Sequence, residues 1–189
     1  MRINADFSAR AAVHFEENEW VASPSAGVER RMLDRIGDEV ARATTIVRFA
    51  PGSSFSEHAH DGGEEYFVLE GTFQDQYGDF PTGSYVRNPP TTSHAPAASD
   101  GATIMVKLHQ FDPADRHQMR LDMASAATDD DRARDGVSVQ PLFSDHIEDV
   151  RVETWSPGAP ITLDVPGGIE VFVLEGGFEE SDEASSLSS

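Results

Sequence analysis

The sequence predicts an all-β fold, a barrel or sandwich of short strands. Three observations predict it: short runs rich in β-branched and aromatic residues, Gly and Pro punctuation between them, and no convincing amphipathic helical period. The 189 residues carry 38% hydrophobic and 25% charged side chains, the balance of a globular chain with a substantial core.

Residues 1–27 are polar apart from Phe7, Val13, Phe15 and Trp20 and turn between Pro24 and Gly27, so they read as an arm lying on a sheet. Val28 to Ile36 fits helix or strand by period, and the β-rich run after it favours strand. Ala43 to Phe49 is a strand stopped by Pro51 and Gly52. Glu65 to Phe73 is a second, with Gln76 to Phe80 as its hairpin partner. After the turn at Gly83, Tyr85 to Arg87 is brief, because Pro89 and Pro90 supply no ladder donor. Ala102 to His109 alternates Ile104, Val106 and Leu108 against Met105, Lys107 and His109. Asp112 to Gly136 is polar, with Met119, Leu121 and Met123 as its apolar set, and reads as a linker or a short surface helix.

An internal repeat follows. Trp155, Pro157, Gly158 and then Gly167 to Gly176 restate Phe49, Pro51, Gly52 and then Gly62 to Gly71, with one residue fewer between Pro-Gly and Gly-Gly. Ile161 to Pro166 stands where His58 to His60 stood, so the copy keeps the scaffold and loses the histidines. Nothing like Gly83 to His94 follows it, so half a barrel with edges to cover is expected.

Composition excludes several functions. With 34 acidic against 14 basic side chains and a net charge of -20, the surface repels phosphate backbones, and nucleic acid is not an expected partner. Lys107 is the only lysine, which suits a carboxylate-loaded surface adapted to high salt, a halophilic character. The absence of cysteine removes disulfides, thiolate ligands and cysteine nucleophiles. No run approaches the ~18 apolar residues of a membrane span, and the first residues lack the apolar core of a signal peptide, so a cytoplasmic location without membrane partners is expected.

The chemistry concentrates between Gly52 and His94. His58 and His60 alternate onto one face of an extended chain, the Gly62-Gly63 turn folds Glu64 back towards them, and His94 is delivered by a separate segment. Three imidazoles and one carboxylate suit a divalent transition metal, with one or two coordination positions open. The bland alternative is a pair of exposed polar histidines in a Gly-rich loop. Glu65 is the rival carboxylate, and strand parity, which groups Glu64 with Tyr66 and Val68, favours Glu64. For His109 a surface or core role is expected ahead of one in the cavity, while His14, His117 and His146 have no supporting context.

Gly52, His58, His60, Glu64 and Gly71, spaced Gly-x5-His-x-His-x3-Glu-x6-Gly, resemble the first motif of the cupin superfamily. Gly83, Pro89, Thr91 and His94 resemble the second, with Thr91 in place of its glycine and Ala98 where an asparagine is often found. Residues 47–52, 62–73 and 83–90 resemble the cupin domain of ChrR-type anti-sigma factors and their free-standing relatives. The resemblance implies a double-stranded β-helix, a small jelly-roll barrel with a degenerate partial second cupin repeat. Its layout would be a complete cupin domain with an N-terminal arm at 1–117, an acidic linker at 118–138, the partial repeat at 139–178 and a polar disordered tail at 179–189. It further implies iron, zinc or manganese held by His58, His60, Glu64 and His94, and a homodimer formed through sheet edges. For activity it implies a metal-dependent dioxygenase acting on a small enolisable or diketone-like compound, with Tyr66 as a pocket wall, or else a zinc-loaded sensor acting through a protein partner. It assigns no further catalytic residue. The helical His- and Cys-bearing module by which ChrR-type regulators grip a sigma factor has no counterpart here, so no sigma-factor partner is expected for this chain.

Overall fold

The computed structural model describes residues 1–14 and 17–180; Phe15 and the tail from residue 181 lie outside the described residues. Met1–Ala159 is one compact unit and Pro160–Ser189 a second. Among the described residues there is no α-helix, and none of the elements is long and apolar enough to be a membrane-crossing helix.

The first unit is built from short strands. They run β1 Arg2–Ile3, β2 Val21–Ala22, β3 Val28–Gly37, β4 Ala41–Phe49, β5 Ser53–Ser54, β6 His58–Ala59, β7 Glu64–Asp75 and β8 Gly78–Pro81. There follow β9 Ser84–Asn88, β10 Ser93–His94, β11 Ala97–Ala98, β12 Ala102–Leu108, β13 Met119–Asp122, β14 Asp129–Asp130, β15 Val137–Ser144 and β16 Asp149–Trp155. All pairings are antiparallel; β12 lies between β4 and β7, and β9 lies between β7 and β13.

Register decides which side chains share a face. Glu64, Tyr66 and Val68 of β7 stand opposite Leu108, Val106 and Ile104 of β12, and Glu64 and Tyr66 also stand opposite Asn88 and Val86 of β9. This inner face is filled by Val28, Phe49, Tyr66, Phe73, Phe80 and Ile104, among others. The outer face carries Phe67 and Tyr85, which pack with Leu142 and Phe143 of β15.

The segment read from sequence as a linker or surface helix contributes β13, paired to β9 through Met119↔Arg87 and Leu121↔Tyr85. The physical reason was present in the apolar set. Met119, Leu121 and Met123 are spaced by two, the strand period, and all three pack against the outer cluster.

The repeat reaches further upstream than its shared residues suggest. β14, β15 and β16 follow the pairing of β2, β3 and β4, with seven paired positions between β15 and β16 where β3 and β4 have nine. Gly136 (φ 75°) stands where Gly27 (φ 76°) stands. The Ser156 N–H donates to Gly136 O at 2.8 Å as the Ala50 N–H donates to Gly27 O at 2.8 Å. The bulge at Pro141/Phe143 falls at the same distance from that glycine as the one at Met32/Asp34. In the second unit, Gly168 and Gly176 keep the positive φ of Gly63 and Gly71, yet no strand forms among its described residues. Ile169, Val171, Val173 and Leu174, the counterparts of β7 side chains, are exposed. A strand needs a ladder partner, and among the described residues nothing plays the part of β9 or β12 for this stretch.

Beneath β15 and β16 lies a buried ionic cluster. Arg87 is 1% exposed; its guanidinium meets Asp115 at 2.9 Å, Glu148, and Glu65 at 3.8 Å, and stacks on the rings of Phe111 and Phe143. The Tyr85 hydroxyl donates to Glu65 at 2.7 Å. Removing Arg87 deprives buried Glu65 and half-buried Asp115 and Glu148 of their shared partner, so Arg87→Ala is expected to cost ~3–5 kcal/mol of unfolding free energy. Urea denaturation measures it, and a loss below about 1 kcal/mol would contradict the role given to the cluster.

Candidate metal centre

β6 and β10 form a two-stranded ribbon in which His58 stands directly opposite His94. The pairing continues beyond the strands, with the His60 N–H donating to Thr92 O at 2.9 Å and the Thr91 N–H to His60 O at 3.1 Å. His94, expected from a separate segment, therefore arrives on the strand paired with the one that carries His58. Gly62 and Gly63 then return the chain into β7 at Glu64. A Cβ on Gly62 would lie 2.1 Å from the His109 ring, and one on Gly63 would lie 2.4 Å from Phe111, so the turn is packed as well as bent. His109 thus backs the turn.

One donor atom from each of His58, His60, Glu64 and His94 lies within 4.8 Å of the others. His60, Glu64 and His94 are buried at 6%, 8% and 1% exposure, while His58 is exposed. The ring centroids are 5.3, 5.1 and 4.6 Å apart for the pairs 58–60, 58–94 and 60–94. Each imidazole has its Nδ1 engaged, His58 with Ser56 O at 3.1 Å, His60 with Thr92 Oγ1 at 2.9 Å and His94 with Asp75 Oδ2 at 3.3 Å. The Nε2 atoms of His60 and His94 are buried without a hydrogen-bond partner and lie 3.4 and 3.3 Å from Glu64 Oε2. Asn88 donates to that same carboxylate at 3.5 Å, and Gln118 donates to Asn88 at 3.0 Å.

The electrostatics suit metal ligation. Burial, reinforced by the neighbouring imidazoles, lowers His60 to about 3; burial, reinforced by His58, lowers His94 to about 4. Both are neutral at physiological pH, the form with a free lone pair. Burial also raises Glu64 to about 7, so the pocket disfavours a bare anion as well. Buried imidazole nitrogens without partners, facing one carboxylate, are what a bound cation would satisfy. The residues present fit a divalent metal.

Of the sequence-predicted site residues, His58, His60, Glu64 and His94 come together. Glu65 faces outward to Tyr85 and Arg87. Tyr66 is 1% exposed on the inner face, and its hydroxyl has no hydrogen-bond partner. His117 packs edge-on against Phe143, and His14 and His146 are exposed. Sequence reasoning missed Asp75, Thr92, Asn88 and Gln118. Asp75 was hidden by the register shift that separates Val68 from Glu70 on β7. It moves Phe73 and Asp75 onto the face that strict alternation from Glu64 would deny them.

A family model described as the ChrR cupin-like domain matches residues 8–112, more than half of the sequence. The chain belongs to the ChrR cupin-like family. No curated protein sequence matches it. Among solved structures, a Pseudomonas aeruginosa protein provisionally named as glyoxylate-induced is 14% identical over 74% of this chain and 60% of its own, with a TM-score of 0.55. A Nostoc punctiforme protein provisionally named a dioxygenase is 17% identical over 65% of this chain and 49% of its own, with a TM-score of 0.54. The anti-sigma factor ChrR of Rhodobacter sphaeroides, solved with SigE, is 22% identical over 50% of each chain, with a TM-score of 0.41. The chain thus spans about half the length of the Nostoc protein and 60% of the Pseudomonas protein. The Pseudomonas and Nostoc likenesses carry the fold, the cupin double-stranded β-helix expected from sequence.

One departure from the cupin motif has a visible backbone consequence. Thr91, where the motif has glycine, sits at φ 81°, a region that penalises β-branched residues. Thr91→Gly is expected to stabilise the fold by about 1 kcal/mol, the left-handed penalty less the added chain entropy. Thermal unfolding tests it; a lowered melting temperature would contradict the strain.

In the metal-free cupin the two buried imidazoles should also cost stability in mild acid. His60 and His94 have folded pKa values depressed below the ordinary 6.5, so the unfolded chain binds more protons as pH falls from about 6.5 towards 4 and 3. Glu64, raised from 4.5 to about 7, acts oppositely, its contribution being lost as pH rises through about 7. Burial raises Glu65 as well, and it acts in the same sense as Glu64. Between pH 7 and pH 5 chelator-treated wild type should therefore lose more stability to urea than His60→Asn/His94→Asn does. An equal loss in wild type and variant would contradict the assignment.

Proposed function

We propose that this cupin holds iron, zinc or manganese on His58, His60, Glu64 and His94 and acts as a metal-dependent dioxygenase on a small enolisable or diketone-like compound. One observation carries the reading: four donor atoms converge within 4.8 Å, while the far nitrogen of every imidazole is already engaged. A bound metal with these four ligands would supply Lewis acidity, and redox chemistry if it is iron, at its remaining positions. Asp75 and Thr92 fix the tautomers of His94 and His60, so that Nε2 offers its lone pair towards Glu64. Phe73, 6.1 Å from the His94 ring, keeps water from that side, and Tyr66 walls the pocket beside it at 4.9 Å. Exposed His58 marks the side open to solvent.

A second reading draws on the family match, which bears the ChrR name. In it the same four residues hold zinc, and the cupin senses a small molecule or oxidant on behalf of a protein partner. Elemental analysis of natively purified protein separates the readings, iron or manganese favouring chemistry and zinc favouring sensing. Iron-loaded protein should consume oxygen with at least one member of a panel of diketones and phenolic ketones, and His60→Ala should not. Absence of uptake across the panel would contradict the dioxygenase reading. Asp75→Asn is expected to weaken metal binding about 10–100-fold in chelator competition without loss of fold. An unchanged affinity would remove Asp75 from the site.

A further inference from the structure

Arg120 lies on β13, outside the family match, in register with Val86 of β9, Tyr66 of β7, Val106 of β12 and Thr45 of β4. Residues in register share a face, so Arg120 stands at the rim of the face that carries Glu64. The neighbouring row confirms the continuity, since Gln118 reaches Asn88 and Asn88 reaches Glu64. Among the described residues the Arg120 guanidinium meets no carboxylate; it lies 4.8 Å from the Tyr77 ring and 5.9 Å from the Phe80 ring. Arg30, Arg42, Arg48, Arg87, Arg134 and Arg151 each meet one.

From Arg120 the aromatic row continues into the core, where Phe80 and Tyr66 are buried. The Phe80 ring is 6.1 Å from the Tyr66 ring, and Tyr66 carries the buried hydroxyl without a partner. A phenol O–H is a donor, and among the described residues no acceptor meets this one. A buried donor without an acceptor is destabilising unless a ligand supplies one. The inner face therefore presents a neutral donor beside the metal ligands and a cation at the rim, with aromatic rings between.

We propose that this row recognises a small oxo-carboxylate, whose carbonyl or enolate oxygen accepts the Tyr66 hydroxyl and whose carboxylate pairs with Arg120. The inference rests on the metal-centred reading above and narrows its substrate class to enolisable compounds bearing a carboxylate tail.

Calorimetric titration of zinc-loaded full-length protein with acetylpyruvate and acetylacetone tests it, because the two share a diketone and differ in the carboxylate. Acetylpyruvate should bind about tenfold tighter or better. Arg120→Gln should abolish that preference and leave acetylacetone unchanged. Tyr66→Phe should weaken both ligands about threefold to tenfold without lowering the melting temperature, since the lost hydroxyl has no partner in the fold. Equal binding of the two diketones, binding of neither by zinc-loaded protein, or a preference that survives Arg120→Gln would overturn the inference and leave the metal centre standing. Failure to retain zinc at all would overturn both.

Discussion

Glu64 and Glu65 are adjacent on one strand and cannot share a face. That alternation on β7 is the constraint on which the rest depends. It sends Glu64 inward to His60 and His94 and Glu65 outward to Tyr85 and Arg87. A slip of one residue would bring Gly63 to the imidazoles in place of Glu64 in one direction, or Tyr66 to Arg87 in place of Glu65 in the other, so either slip takes a carboxylate from one of the two clusters. The outer cluster is thus a register lock for the inner site. Its cation also ties β9 to Asp115 and to Glu148 in the turn between β15 and β16, so the hairpin that covers the sheet from outside holds in place β9, the strand paired with the one that supplies Glu64.

The ligand set was legible because it is local. His58, His60 and Glu64 fall within seven residues around a Gly-Gly turn, and strand parity chose between the two carboxylates. His94 could be named from its motif but not placed, since its pairing with His58 is a contact between segments far apart in sequence. The groups that orient the ligands were not legible. Asp75 became an inner residue only through a register shift, and Thr92 and Gln118 reach the site through hydrogen bonds that no spacing rule encodes. β13 was misread because its charge outweighed three apolar residues at strand spacing.

The repeat separates scaffold from chemistry. β14 to β16 follow the pairing, bulge position and turn glycine of β2 to β4 while sharing few side chains with them. Backbone geometry here is set by a glycine at positive φ and by strand period, which many sequences satisfy. Metal chemistry needs particular side chains, and the second copy carries none of the histidines. The stretch Ile169 to Leu174 shows the limit of such a scaffold, for the β7 pattern alone does not make a strand without a neighbour.

The central claim is that the buried Nε2 atoms of His60 and His94, with Glu64 and His58, hold a metal ion. Elemental analysis of protein purified without chelator, beside His60→Ala and Glu65→Gln, tests it most directly. About one equivalent of transition metal is expected in wild type and in Glu65→Gln, and almost none in His60→Ala. Equal metal in wild type and His60→Ala, or none in a folded wild-type protein given iron, zinc and manganese in turn, would contradict it.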